Sequence, residues 1–243
     1  MTNYRRLPLK SLKNCRELGG FPTKDGAVTK YGVFLRCEIP RDLPAEDIEF
    51  FRNYGVTDCM DFRSSGELQR IKNYMSCLDF VDYHILPMFG SGQVAPQAQT
   101  KKEKKEFVFQ DWQTVYCDML DNFKDWTKKI IETAARAEGA CLYNCTTGKD
   151  RTGLCTMLLL SIAGVDKEDI VADYCVSMIY MRDVYETIDF GGPLEPKFRL
   201  TPPDAMGDTI DYLEEKYGSV TDYIRTCGVS DETIEKIRAK FVE

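Results

Sequence analysis

Cys145-Thr146-Thr147-Gly148-Lys149-Asp150-Arg151 is the stretch on which the reading of this chain turns. An apolar, β-prone run, Ala140 to Tyr143, precedes it, and the helix-forming stretch Gly153 to Ala163 follows. A strand, a tight loop and a helix beginning near Arg151 would turn the backbone N–H groups of residues 146 to 151 inward, making a concave anion site at the helix's positive end. Such a site fits one phosphoryl group. The same field favours a sulfur anion, since cysteine pKa values at helix N-termini beside cations fall from ~8.5 to roughly 3.5–7.5. Cys145 is therefore expected to be a nucleophile at neutral pH.

Of ten cysteines, only Cys145 has an arginine six positions on. The plain alternative is a small buried thiol ending a strand and a solvated arginine opening a helix. A nucleotide-binding loop of the Gly-x-x-x-x-Gly-Lys-Ser/Thr type fails at two positions, where Tyr143 and Asp150 stand.

Outward from the loop, strands alternate with helices. β-prone residues between Gly26 and Cys37 suggest a hairpin or paired strands. Pro44 opens a helix with Ile48 and Phe51 on one side, Asn53-Tyr54-Gly55 ends it, and Val56 to Phe62 reads as a buried strand. Asp82 to Leu86 and Ala140 to Cys145 are further core strands. This predicts an α/β fold with a mainly parallel central sheet flanked by helices, the active-site loop lying between the last core strand and a buried helix. Ligands bind such sheets at strand C-terminal ends, where Cys145 falls.

Phe109, Trp112, Tyr116, Met119, Phe123, Trp126, Ile130 and Ala134, at steps of three and four, predict one long amphipathic helix. The polar stretch Gly90 to Glu106, with Pro96 and Lys101-Lys102-Glu103-Lys104-Lys105, is expected to form a lid or insertion within about 88–112. Gly164 should stop the apolar helix Leu154 to Ala163. Asp166 should cap the next helix, Pro202-Pro203-Asp204 should start one running to Tyr217, and Ser230 should cap the last. Without internal repeats or composition shifts, a single domain over 1–243 is expected.

In chemical terms, Cys145 would attack phosphorus while Arg151 holds two oxygens bidentately and the amides of Thr146, Thr147, Gly148, Lys149, Asp150 and Arg151 hold the rest. Lys149 would add charge. Thr152 is expected either to donate a hydrogen bond to the Cys145 sulfur or to cap the helix. Arg63 with Glu67, and Arg16 with Glu17, read as structural ion pairs.

These residues carry a resemblance. Tyr143 to Gly153 resembles the active-site loop of the atypical bacterial protein tyrosine phosphatases that contain Gly-Lys-Asp-Arg-Thr-Gly, a group similar to lipid phosphatases. Asn14-Cys15-Arg16-Glu17-Leu18-Gly19-Gly20 is similar to that family's Asn-Phe-Arg-Asp-Leu-Gly-Gly. Leu35-Arg36-Cys37 is similar to its Arg-Ser, and Asp61-Phe62-Arg63-Ser64 with Glu67 to its Asp-Leu-Arg-Ser. Tyr217-Gly218-Ser219-Val220, Tyr223-Ile224 and Ile237-Arg238 resemble its C-terminal helices. One departure is Asn144, where the family usually has His before the cysteine; Asn can fix the loop by hydrogen bonds but supplies no imidazole.

The resemblance implies a cysteine-dependent phosphomonoesterase acting on phosphotyrosine through a phosphocysteine intermediate, with phosphoinositides as a further substrate class. It favours Asp150 as general acid, ahead of Asp111, Asp118, Asp121 and Asp61. The alternative is a catalytically weak phosphate-binding module, which Asn144 favours; a rhodanese-type sulfur transferase would need an internal half-repeat that is missing.

Composition narrows the remaining classes. With 43% hydrophobic and 29% charged residues, 243 residues suffice for a well-buried core. The formal charge of −7 argues against nucleic acid as a partner. No apolar run approaches the ~20 residues of a membrane span, so no stable membrane insertion is expected. Met1 to Lys13 lacks the apolar segment of an export signal, and a cytoplasmic location follows as an expectation. Irregularly spaced cysteines and a single His offer neither a disulfide framework nor a metal-ligand cluster. Neither a metal nor any other cofactor is expected.

Overall fold

The computed structural model describes residues 4–90, 111–190, 192 and 194–243. The stretch expected as a lid lies outside the described residues from 91 to 110, and Phe109 with it.

Ala140–Asn144 is the strand that a run of apolar residues with no alternation calls for, since both its edges and both its faces are covered. Among the described residues it is β5 of a five-stranded sheet with β1 (Arg16–Glu17), β2 (Phe34–Cys37), β3 (Val56–Asp61) and β4 (Asp82–Ile85), in the order β1-β2-β5-β3-β4. β5 runs parallel to both β2 and β3, and β3 parallel to β4; only the short edge strand β1 is antiparallel. The expected parallel α/β architecture is what is found. β2, however, pairs with the upstream Arg16–Glu17 and not with a strand inside Gly26–Cys37.

Alternate residues of the sheet feed two cores. Phe34, Met60, Phe62, Cys141 and Tyr143 face a large helical layer. It draws on α3 (Trp112–Asn122), α4 (Lys124–Arg136), α5 (Asp150–Ala163), α6 (Lys167–Met181), α7 (Pro203–Tyr217), α8 (Val220–Thr226) and α9 (Asp231–Phe241). On the other face Leu35, Cys37, Cys59 and Leu142 meet Leu7, Leu9, Leu12 and Phe51, the last from α1 (Ala45–Tyr54). α5 is buried apart from Ser161, and Gly164 ends it at φ 85°. Ser230 caps α9 by accepting from the Thr233 N–H.

Two helix expectations need correction. The single helix through Phe123 is two, because Phe123 sits at φ −120°, ψ 43° and packs its ring edge-to-face on Phe89 at 5.4 Å. Each half keeps its apolar side buried, Trp112, Tyr116 and Met119 in one and Trp126, Ile130 and Ala134 in the other, so the spacing did not betray the break. Asp166 precedes α6, but its side chain makes no capping bond and lies 3.9 Å from Lys24. Among the described residues no helix is long and apolar enough to cross a membrane.

Candidate active site

The register aligns Cys37, Asn144 and Asp61 at the C-terminal ends of β2, β5 and β3, and the Cys145 loop leaves the sheet between its two neighbours. Its carbonyls are held by residues from other elements. Ile39 donates its N–H to Thr146 O at 3.2 Å. Asn14 Nδ2 donates to Thr147 O and Gly148 O, each at 3.1 Å. Arg36 adds a bond to Gly148 O at 2.8 Å. In a planar trans peptide the N–H points opposite to the C=O, so fixing three successive carbonyls behind the loop turns the N–H groups of Thr147, Gly148 and Lys149 to the front. Among the described residues no backbone N–H from Thr146 to Lys149 donates to a protein acceptor. Gly148 makes the turn at φ 66°, where a Cβ would lie 2.3 Å from Cys37 O. Only glycine fits both constraints. Cys145 itself is 1% exposed.

Arg151, in the first turn of α5, is fixed by Glu67. NH1 reaches Glu67 Oε2 at 2.8 Å and Phe62 O at 3.1 Å, and NH2 reaches Glu67 Oε1 at 2.6 Å. Five N–H groups belong to a guanidinium, and these bonds use its NH1/NH2 end. Nε–H and the remaining NH2 hydrogen, which share the side edge, have no partner among the described residues. Glu67 is oriented by a capping box at the start of α2 (Ser65–Arg70), accepting from Ser64 N and Ser64 Oγ at 2.9 Å. It also accepts from Thr146 Oγ1 at 2.6 Å, so one carboxylate holds both ends of the loop. Burial opposes its charge, but Arg151 outweighs burial and holds the Glu67 carboxyl well below the usual range.

Lys149, whose ammonium stays close enough to Cys145 to interact with its charge, is also tied to another segment. Its ammonium donates to Phe198 O at 2.8 Å and Leu200 O at 2.9 Å, lies 3.3 Å from Asp150 Oδ1 and sits 4.4 Å from the Trp112 ring. Burial pulls its pKa down and Asp150 opposes the shift. The side chain therefore ties the loop to the 196–200 segment. Asp150, 5% exposed, accepts from Tyr116 OH at 2.5 Å, and Tyr174 OH lies 2.8 Å from that hydroxyl. Tyr185 is nearby: burial, then Asp150 and Cys145, push its hydroxyl up.

The other acid candidates are committed elsewhere, except Asp118, which is exposed on α3. Asp111 caps α3 through Thr114 N at 2.8 Å, and Asp121 accepts from Tyr212, Tyr217 and Lys216. Asp61 holds Arg63 at 2.8 Å along with Asn73 and Tyr83. The pairing of Arg63 with Glu67 is thus replaced by Arg63 with Asp61. Likewise Arg16 binds Asp173 at 2.8 Å, and Glu17 accepts from Tyr54 OH and the Gly32 N–H. Thr152 Oγ1 is buried without a hydrogen-bond partner, so it neither bonds the Cys145 sulfur nor caps α5, whose cap position is Lys149. Asn144 fixes the strand end, donating to Cys145 O at 3.0 Å and accepting from Asn73 Nδ2 at 3.0 Å.

Behind the loop, Arg36 binds Asp173 at 2.6 Å, and Arg16 also donates to Asn14 Oδ1 at 2.5 Å and Ser177 Oγ at 3.0 Å. This brace was missed in the sequence because Asp173 stands 157 residues from Arg16. Away from the loop, the β3–β4 register sets Asp58 beside Asp82, and with His84 their ligand atoms lie within 4.8 Å. The expectation of no such cluster is corrected to that extent, although His84 Nε2 and Asp58 Oδ1 already pair at 2.9 Å.

The sequence pattern of the tyrosine phosphatase family matches residues 7–243. A tyrosine-protein phosphatase of Nostoc commune is 30% identical over 224 residues, covering 86% of this chain and 74% of its own length. The triple specificity protein phosphatase PtpB of Mycobacterium tuberculosis is 27% identical over 231 residues, covering 77% of this chain and 82% of its own. With a family match across nearly its whole length, the chain belongs to the tyrosine phosphatase family.

Proposed function

We propose that the chain hydrolyses phosphotyrosine through a phosphocysteine intermediate, and that phosphoinositide phosphates are a further substrate class. The observation that carries this is the side edge of Arg151, two N–H donors without partners among the described residues, in a guanidinium close enough to Cys145 to feel its charge, together with the unbonded N–H groups of the Cys145 loop. That edge matches two equatorial oxygens of a phosphoryl group, and the cradle takes the third. The Cys145 thiolate forms the S–P bond as the P–O bond breaks, and Asp150 gives its proton to the leaving oxygen. Water then attacks phosphorus, Asp150 takes its proton, and the S–P bond breaks to release phosphate. Tyr116 positions Asp150. The multiple specificity in the name of the M. tuberculosis relative supports a wider substrate range.

Acid quenching during turnover of a ³²P-labelled phosphotyrosine peptide should trap label on the wild-type protein and none on Cys145→Ser. Equal, negligible turnover by both proteins would instead indicate the phosphate-binding module that Asn144 favours. A panel setting phosphopeptides against inositol phospholipids should show turnover of both; hydrolysis confined to peptides would remove the second class.

A further inference from the structure

Outside the Cys145 loop, a cleft of about 390 Å³ opens between the N-terminal segment and α6, lined by Arg5, Arg6, Arg16, Phe21, Asp173 and Tyr180 among others. In a protein of charge −7 this corner is cationic. Arg5, Arg6, Arg16 and, behind them, Arg36 bring four positive charges; Asp169 and Asp173 supply two negative ones. Asp173 is consumed by the two buried arginines. Arg5 is left with a looser 3.5 Å pairing to it, and with a bond from NH1 to Gly19 O.

The outer two arginines are held ready for a ligand. Arg5 stacks 3.9 Å from the Phe21 ring centroid and Arg6 4.9 Å from that of Tyr180. Their backbones are pinned to β1, by an antiparallel bridge between Arg6 and Arg16 and by the Glu17 N–H bond to Arg5 O. Arg6 spends only Nε, on Lys13 O at 3.0 Å; its NH1 and NH2 have no partner among the described residues. Stacking restrains a guanidinium while leaving its edge donors open, which is the arrangement that recognises an oxyanion.

We propose that this cleft is a second anion site, distinct from the Cys145 loop, that takes a phosphate group, either free or carried on a small molecule. It is also wired to the loop. An anion drawn to Arg5 and Arg6 competes with Asp173 for Arg5, and Asp173 holds Arg16, whose NH1 orients the Asn14 side chain that bonds Thr147 O and Gly148 O. Occupation of the cleft therefore acts on the shape of the N–H cradle.

Calorimetric titration of inorganic phosphate should count two ions per wild-type chain and one in Arg5→Gln/Arg6→Gln. Phenylphosphonate, which cannot be hydrolysed, repeats the count with a carried group. A second site filled by phosphate alone assigns the free ion; one filled by the phosphonate alone assigns the carried group. Loss of both guanidiniums should weaken that site by about tenfold or more. A single site in the wild type for both probes, or two sites unaffected by the double variant, overturns the proposal. The count needs no turnover, so it stands or falls independently of the hydrolytic mechanism. In turnover assays phosphate should lower wild-type kcat as well as raise KM, and should only raise KM in the variant. Purely competitive inhibition in both would refute the coupling.

Discussion

In front of the Cys145 loop one guanidinium meets one carboxylate, Arg151 with Glu67; behind it two guanidiniums, Arg16 and Arg36, share the single carboxylate of Asp173. All five groups are largely buried, yet the two arrangements differ in what they leave unspent. Arg16 uses Nε, NH1 and NH2 on Asp173, Asn14 and Ser177. Arg151 keeps one edge in reserve. Arg36 leaves only its Nε unbonded, fully buried and closed to a ligand, whereas the open edge of Arg151 still has something to offer one. Ion-pair count alone does not distinguish them; the inventory of donors does.

The comparison breaks most visibly at Asp173. Replacing it with Ala strands two buried guanidiniums, and urea unfolding should show a loss of about 3–5 kcal/mol, with part of the turnover lost in the fraction that still folds as Arg16 ceases to hold Asn14 against the loop. Normal stability with lost activity would make the rear brace catalytic and erase the distinction. Arg151→Lys should do the reverse: it keeps the charge but lacks the fork, so kcat should fall about 10²–10³-fold with little change in the unfolding midpoint. Near-normal turnover would mean the side edge is not used.

Acid sharpens the contrast. Burial alone would raise the Asp173 carboxyl, but Arg16 and Arg36 outweigh it and bring it down to about 2. A depressed carboxyl stabilises the fold above its ordinary value near 3.8 and loses that contribution as pH falls toward about 2, a span worth about 2 kcal/mol. Wild-type stability should therefore fall more steeply than that of Asp173→Asn across this window; parallel curves would show that the carboxylate contributes nothing there. The smallest effect is expected for Glu67→Gln, whose amide oxygen can still accept from Ser64 and Arg151 NH1, while its NH2 loses the bond from Arg151 NH2 and can meet Thr146 Oγ1 only as a donor. kcat/KM should fall about tenfold, and a loss as large as that of Arg151→Lys would mean that Glu67 does more than orient the arginine.

Much of this was legible from the chain. The loop, the strand before it and the buried helix after it are contiguous, so local pattern sufficed, and the parallel sheet followed from the alternation of strands and helices. Partner choice was not legible. Glu67 lies four residues from Arg63, close enough to suggest a pair, but the Ser64-x-x-Glu67 capping box fixes that carboxylate at the start of α2 and aims it at Arg151, 84 residues away. For Lys149 the sequence offered a charge at the loop, but only the fold shows the Phe198 and Leu200 carbonyls that hold its ammonium. Phe123 shows the same limit, since burial follows the apolar spacing whether or not a helix bends between two turns.

Asn14, whose amide spans Thr147 O and Gly148 O, has a consequence for how the molecule comes into being. The bowl around the sulfur is drawn tight by residues 14, 36, 67 and 173, contributed by stretches scattered over most of the polypeptide. Contacts of such wide sequence separation form late, because the intervening loops must close before they bring any gain. A ribosome-bound chain that has just released Arg151 already carries Cys145 but not the Asp173 that braces the loop. The native bowl can thus close only after Asp173 has emerged, and oxyanion binding to stalled nascent chains of graded length would date that moment if the loop binds phosphate as proposed.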